Sequence, residues 1–370
     1  MKTLVQRYVP RTRRALGSLL QLHPAPWRWK VGVEAGLALG LPLALFTALG
    51  HQPWGMQAAL GAFTALYGAS LNRRDRMHLL PLVAAGLVLA ASVGVLCAGN
   101  HWLTSVALIV VSALASTGAL GVRLGPPGPL MFVLVAAVSG HLATPRQLGG
   151  AGLPGGSLIG LVALGSALAY LVVVMPLAWP SVRRRHGSPS GLRTLFPRFS
   201  FDADTAAMVL RVVVAVAVAS LLGRPLGAYR SYWVVLSTVA VLQSSPSRKL
   251  TSIRAVHRVV GTLLGIGLFE LVAFFRPIGF GVVALLMLLQ AATEVVVARN
   301  YALALLFITP LALTNSTIGH AGSTLVTVQG RLLDTLLGAG IALAIFWAGE
   351  WLRRLRAKRN ADSATPNTSS

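Results

Sequence analysis

The sequence is dominated by apolar runs of about twenty residues, repeated along nearly its whole length. A helix needs about 20 mainly apolar residues to cross a bilayer. Such runs fall at about 31–49, 52–71, 79–99, 103–120, 128–144 and 155–178, and again at 207–223, 230–244, 258–275, 278–298, 299–314 and 327–349. Charged residues make up only 11% of the chain, against about a quarter in soluble domains. This is too little polar material to cover a water-soluble core of this size. The pattern predicts an all-α polytopic membrane protein with about twelve transmembrane helices in two six-helix halves. The domain reading is a basic N-terminus (1–30), a first membrane half (31–178), a linker (179–205), a second membrane half (206–349) and a tail (350–370) expected to be polar and disordered.

The formal net charge is +23. The positive residues cluster between the apolar runs, as juxtamembrane loops do, and this argues against nucleic acid as a partner. With the N-terminus inside, 26 of the 32 Lys and Arg residues fall on the cytoplasmic side. Both termini are therefore expected in the cytoplasm of a multi-pass protein. Residues 1–30 are basic, but the apolar run behind them is longer than the core of a cleavable signal. The one cysteine, Cys97, excludes an internal disulfide. The histidines His51, His101, His141 and His320 match no compact metal motif and read as interfacial polar residues. No lysine follows a glycine, so the phosphate-cradling Gly-Lys-Ser/Thr loop is absent. No metal, cofactor or enzymatic activity is expected.

Small residues recur at helical spacing. Gly32, Gly36 and Gly40 form one stripe, and Gly261 and Gly265 another. Glycines four apart let helix backbones approach closely in lipid. The segment "RVVGTLLG", Arg258 to Gly265, recurs as "RLLDTLLG", Arg331 to Gly338. Read as span starts three crossings apart, the two would lie near opposite faces, as an inverted three-plus-three repeat produces. An arginine in the bilayer core costs about 2.5–3.5 kcal/mol on insertion scales. Arg258 could serve as a snorkelling anchor or as a site residue. Arg331 lies on the side where positive charge is disfavoured, and Asp334, three residues on, shares its helix face. Among the acids, Glu34 sits near the cytoplasmic edge, where water reaches it, and Glu294 has Arg299 nearby. Glu270 and Asp334 are the candidates for handling a proton, with hydrogen-bonded structural acids as the competing reading.

The stretch "SYWVVLSTVAVLQSSPSRKLTSIRAVHRVVGTLLGIGL", residues 231–268, resembles the fusaric-acid-resistance-like, or aromatic acid exporter, superfamily. The resemblance rests on Trp233, Thr238, the basic turn around Arg248 to Arg254, and Arg258, Gly261, Thr262 and Gly265. Arg331, Asp334, Thr335 and Gly338 resemble the family's closing segment. It covers roughly residues 206–349. The first half fits loosely, with Trp54 and a basic turn at Arg73 to Arg76 but "LPLVAAG" where Arg-x-x-Gly-Thr would stand. The large soluble domain that many family members carry between their halves is replaced by the short linker.

The resemblance implies a bacterial inner-membrane exporter of aromatic carboxylates, with a periplasmic adaptor or a second copy of the chain as candidate partners. Besides the lipid bilayer, the expected ligand is a small organic anion. Arg258 and Arg331 could bind its carboxylate; Tyr232, Trp233 and Tyr301 could supply flat surfaces, or belong to the interfacial aromatic belt. Gly261, Thr262, Gly265, Thr335 and Gly338 are expected to pack helices. The proton motive force is the expected driver; a passive anion channel and a non-transporting scaffold are the alternatives.

Overall fold

A computed structural model of the chain describes residues 17, 21–122, 124–185, 199–223, 228–242, 248–317 and 324–364. The first sixteen residues, the middle of the 179–205 linker, the turn around Arg224 and His320 lie outside the described residues. Among the described residues there is no strand. In lipid every backbone N–H and C=O must be satisfied within the chain, and helices do this segment by segment.

In chain order the helices are α1 (Trp29–Ala48), α2 (Gln52–Ala58), α3 (Arg73–Leu96), α4 (His101–Gly121), α5 (Leu130–Ala143), α6 (Gly155–Val174), α7 (Pro180–Arg185), α8 (Ala203–Gly223), α9 (Ala228–Leu242), α10 (Arg248–Phe274), α11 (Phe280–Val296), α12 (Tyr301–Thr317) and α13 (Thr324–Ala364). Among the described residues seven stretches are long and apolar enough to cross a membrane, and four shorter apolar helices accompany them. A further crossing expected at 52–71 is not a continuous helix. α2 ends at Ala58, a 3₁₀ turn spans Gly61–Leu66, and Tyr67 is extended. Gly61 lies where an added Cβ would collide with the backbone of Val162 and Ser166 on α6. The Arg76 guanidinium donates to the carbonyls of Ala65 and Tyr67 that the break leaves unpaired.

The packing of the first six segments recurs in the second six. α3 packs on α5 and α6 as α10 packs on α12 and α13. α6 lies against the α2 and 3₁₀ segment as α13 lies against α9. The halves meet reciprocally, α1 on α11 and α8 on α4. The Gly32, Gly36 and Gly40 stripe makes the first of these contacts, where a Cβ on Gly32 would stand 2.8 Å from the Ala291 carbonyl oxygen.

Inside the second half the partners also exchange. α10 packs on α12, and α13 packs on α9. The third helix of each three-helix unit therefore lies on the second helix of the other, the arrangement of an inverted repeat. Gly265 faces Leu305 and Thr309 of α12; Gly338 faces Val234, Ser237 and Thr238 of α9.

Three local expectations are corrected. Glu34 is not in water: it is buried and bridges Arg73 and Arg76, two members of the supposed loop. Those arginines belong to the first turn of α3, which aims them back into the bundle. The tail is not disordered from residue 350: α13 runs on through Ala364, because "WLRRLRAKRNADSA" contains neither glycine nor proline to stop it. Arg299 does not meet Glu294; its guanidinium lies 3.9 Å from the Trp27 ring.

Candidate functional site

The arginines singled out above do not stand at helix mouths. α10 begins at Arg248, so Arg258 lies ten residues inside it, about 15 Å along the axis. α13 begins at Thr324, so Arg331 lies seven residues in. The basic segment before Arg258, read from sequence as a loop, is itself helical, and this displaces the motif inward. Both side chains are buried, with 6% and 4% relative exposure.

Both reach α9. Arg258 donates from Nη2 to the Ser237 hydroxyl at 3.1 Å and from Nη1 to the Tyr301 hydroxyl at 2.8 Å. Its buried Nε–H has no hydrogen-bond partner among the described residues. Arg331 lies over the Trp233 ring, 3.8 Å from guanidinium carbon to ring centre. Trp233 and Ser237 are one helical turn apart on α9, about 6 Å along its axis. The two cations therefore meet one helix at neighbouring levels and do not occupy opposite faces.

The aromatic residues are ordered around them. The Tyr232 ring lies tilted against Trp233, 4.9 Å between centres, and against His141 of α5, 5.4 Å between centres. Tyr301 takes the Arg254 guanidinium 4.4 Å above its ring while accepting from Arg258. Each of the two third-position helices thus sends an arginine to an aromatic residue on the second helix it packs against, Arg258 to Tyr301 and Arg331 to Trp233.

Asp334, Thr335 and Thr262 are almost wholly buried. The Thr238 hydroxyl lies 2.8 Å from the Val234 carbonyl oxygen and 3.1 Å from that of Gly338, within donating distance of both. The close approach of Gly338 to α9 sets this height. Gly261 and Gly265 do the same between α10 and α12, where a Cβ on Gly261 would stand 2.5 Å from the Ala302 carbonyl oxygen. Glu270 is elsewhere: it is exposed on the outer surface of α10, beside the exposed Leu271 and Phe274.

Sequence reasoning missed Arg254, Ser237 and His141. Arg254 was legible as the residue one turn before Arg258 on the same face. Ser237 and His141 carried no such signal, since their roles depend on which helices become neighbours. Among the described residues no group of three or more His, Cys, Asp or Glu could hold a metal ion.

Residues 213–345, which contain all of this arrangement except His141, match the family model of fusaric acid resistance protein-like proteins. This stretch is similar to fusaric acid resistance protein-like proteins. Its relatives include the uncharacterized membrane protein YvaC of Bacillus subtilis, 33% identical over 42% of this chain and 26% of that protein. They also include the inner membrane protein YccS of Escherichia coli, 29% identical over 42% of this chain and 22% of that protein. The chain thus spans about a quarter of the length of these curated relatives. No solved structure matches. Within the matched stretch the sequence motif and the buried cations coincide: Arg258, Gly261, Gly265, Arg331 and Gly338 all lie within 213–345.

Proposed function

We propose that the protein is a transporter of the bacterial inner membrane that exports small aromatic carboxylates, with its binding site along α9. The observation that carries this reading is the pair of buried guanidinium groups that reach positions one turn apart on α9, Arg331 over the Trp233 ring and Arg258 bonded to the Ser237 and Tyr301 hydroxyls. A carboxylate takes two parallel N–H donors from a guanidinium, and Arg258 keeps its Nε–H for that purpose. The Trp233, Tyr232 and Tyr301 rings give an aryl group flat apolar surfaces. Buried charge within a bilayer is costly, and residues that bear that cost mark ligand or ion pathways. The name of the YccS relative supports placement in the inner membrane.

Proton coupling rests with Asp334. It is buried three residues from Arg331, whereas Glu270 faces away from the bundle.

The test is resistance. Arg258→Ala and Arg331→Ala should each abolish protection against benzoate in cells lacking other copies, with membrane abundance unchanged by immunoblot. Full protection from both variants overturns the site. In reconstituted vesicles an imposed pH gradient should drive benzoate against its own gradient; movement only down its gradient would make the protein a channel.

A further inference from the structure

One cleft lies outside the arginine cluster. It opens between the two halves, where α4 and α5 meet α8 and α9. The first half lines it with Asn100, Thr104, His141 and Thr144, the second with Ser220 and Tyr232. Leu108, Ala137 and Val235 also line it, so polar and apolar groups face the space together. The space is about 40 Å³. One water needs roughly 10–15 Å³ measured this way, so the cleft has room for about three. It is far too small for a benzene ring, which fits an apolar cavity of about 150 Å³.

Beneath the cleft, four groups form a ladder. His141 packs tilted against Tyr232 at 5.4 Å, Tyr232 against Trp233 at 4.9 Å, and the Trp233 ring centre lies 3.8 Å from the Arg331 guanidinium carbon. Tyr232 is thus the one ring that both lines the cleft and touches the aromatic that covers the buried cation. It is 6% exposed.

We propose that this cleft is the outer vestibule of the transport route and that Tyr232 is its gate, exchanging places with the aryl ring of an aromatic monocarboxylate. The proposal rests on the transport reading above. A turn of Tyr232 about its Cα–Cβ bond joins the cleft to the space over Trp233 and Arg331. The incoming aryl ring then takes over the ring contacts with His141 and Trp233 that Tyr232 gives up. Opening for an aromatic ligand loses no ring contact, whereas opening for an aliphatic carboxylate loses two. The gate is thereby also a selectivity element, and its outer wall comes from the first half of the chain.

The lone cysteine makes the test clean. In a Cys97→Ser background, Ser220→Cys reports on the cleft and Ser237→Cys on the space beyond Tyr232. Intact cells are treated with a membrane-impermeant maleimide. The Ser220→Cys thiol should label. The Ser237→Cys thiol should label only when Tyr232→Ala is added, and not when Tyr232→Phe is added, because phenylalanine keeps the ring. Benzoate should slow labelling of the Ser220→Cys thiol several-fold, and acetate at the same concentration should not.

No labelling of the Ser220→Cys thiol from outside overturns the vestibule. Labelling of the Ser237→Cys thiol with Tyr232 intact, or its absence even with Tyr232→Ala, overturns the gate. Equal effects of benzoate and acetate overturn the assigned ligand. Thiol access needs no transport, so these results stand apart from the resistance of the Arg258→Ala and Arg331→Ala strains, whose failure would sink the transport reading instead.

Discussion

Replacing Glu34 with alanine should destabilise the protein more than its place near the end of α1 suggests. Its carboxylate bridges Arg73 and Arg76 with 8% of the side chain exposed. Arg76 is the more enclosed partner, at 4% against 19% for Arg73. Arg76 cannot follow the lost carboxylate to water, because it also holds the Ala65 and Tyr67 carbonyls at the break after α2. Removing one partner of a buried pair leaves an uncompensated charge, at a cost of about 3–5 kcal/mol.

Arg76→Met should cost at least as much. It strands Glu34 in part and also orphans two carbonyls, each worth about 1–3 kcal/mol if buried without a donor. Arg73→Met should cost less, about 1–3 kcal/mol, because Arg76 still neutralises Glu34 and only the Val173 carbonyl loses its donor. Urea unfolding in detergent, followed by tryptophan fluorescence, should rank Arg76→Met first, Glu34→Ala second and Arg73→Met last. Equal losses from Arg73→Met and Arg76→Met, or a loss under about 1 kcal/mol for Glu34→Ala, would refute the account of the break.

Gly338→Val should lower thermal stability by about 1–3 kcal/mol or prevent insertion, since a Cβ there stands 2.5 Å from the Ser237 Cβ. Gly118→Val, with open space around it, is the neutral control in the same melt. Tyr301→Phe keeps the ring under Arg254 but removes the acceptor from Arg258; a hydrogen bond to a charged group is worth about 1.5–3 kcal/mol. Apparent affinity for benzoate in a transport assay should therefore fall about tenfold or more. Asp334→Asn should abolish uphill movement driven by a pH gradient while Glu270→Gln leaves it intact; the reverse result would reassign the proton carrier.

The apolar runs made the all-helical membrane architecture legible, because a bilayer imposes a length and a composition that a sequence cannot hide. What they concealed was backbone irregularity. Residues 59–67 are as small and apolar as any span, and the 3₁₀ turn arises from the close approach of Gly61 to α6, a contact between segments about a hundred residues apart. The depth of Arg258 was misjudged for a related reason. Helices in a membrane protein can start in basic, water-facing sequence, so the first apolar residue does not mark the first helical one. The motif itself was legible, since arginine, threonine and glycine at that spacing serve both packing and charge. The partners Ser237, Tyr301 and Trp233 were fixed only by the exchange of helices between the two three-helix units.

The duplicated bundle is chemically one-sided. Gly165 meets the Ala58 carbonyl as Gly338 meets that of Val234. Counting back from these two glycines, Leu158, Leu161 and Val162 stand where the second half has Arg331, Asp334 and Thr335. Counting back seven residues from Gly94, Leu87 stands where Arg258 precedes Gly265. All four substitutes are buried. The first copy thus lacks the counterparts of Arg258, Arg331 and Asp334, and its buried charge is the Glu34, Arg73 and Arg76 cluster at another level. On the transport reading proposed above, a chain built this way would have a single working lane, and a paired assembly of two chains would have two lanes, never four.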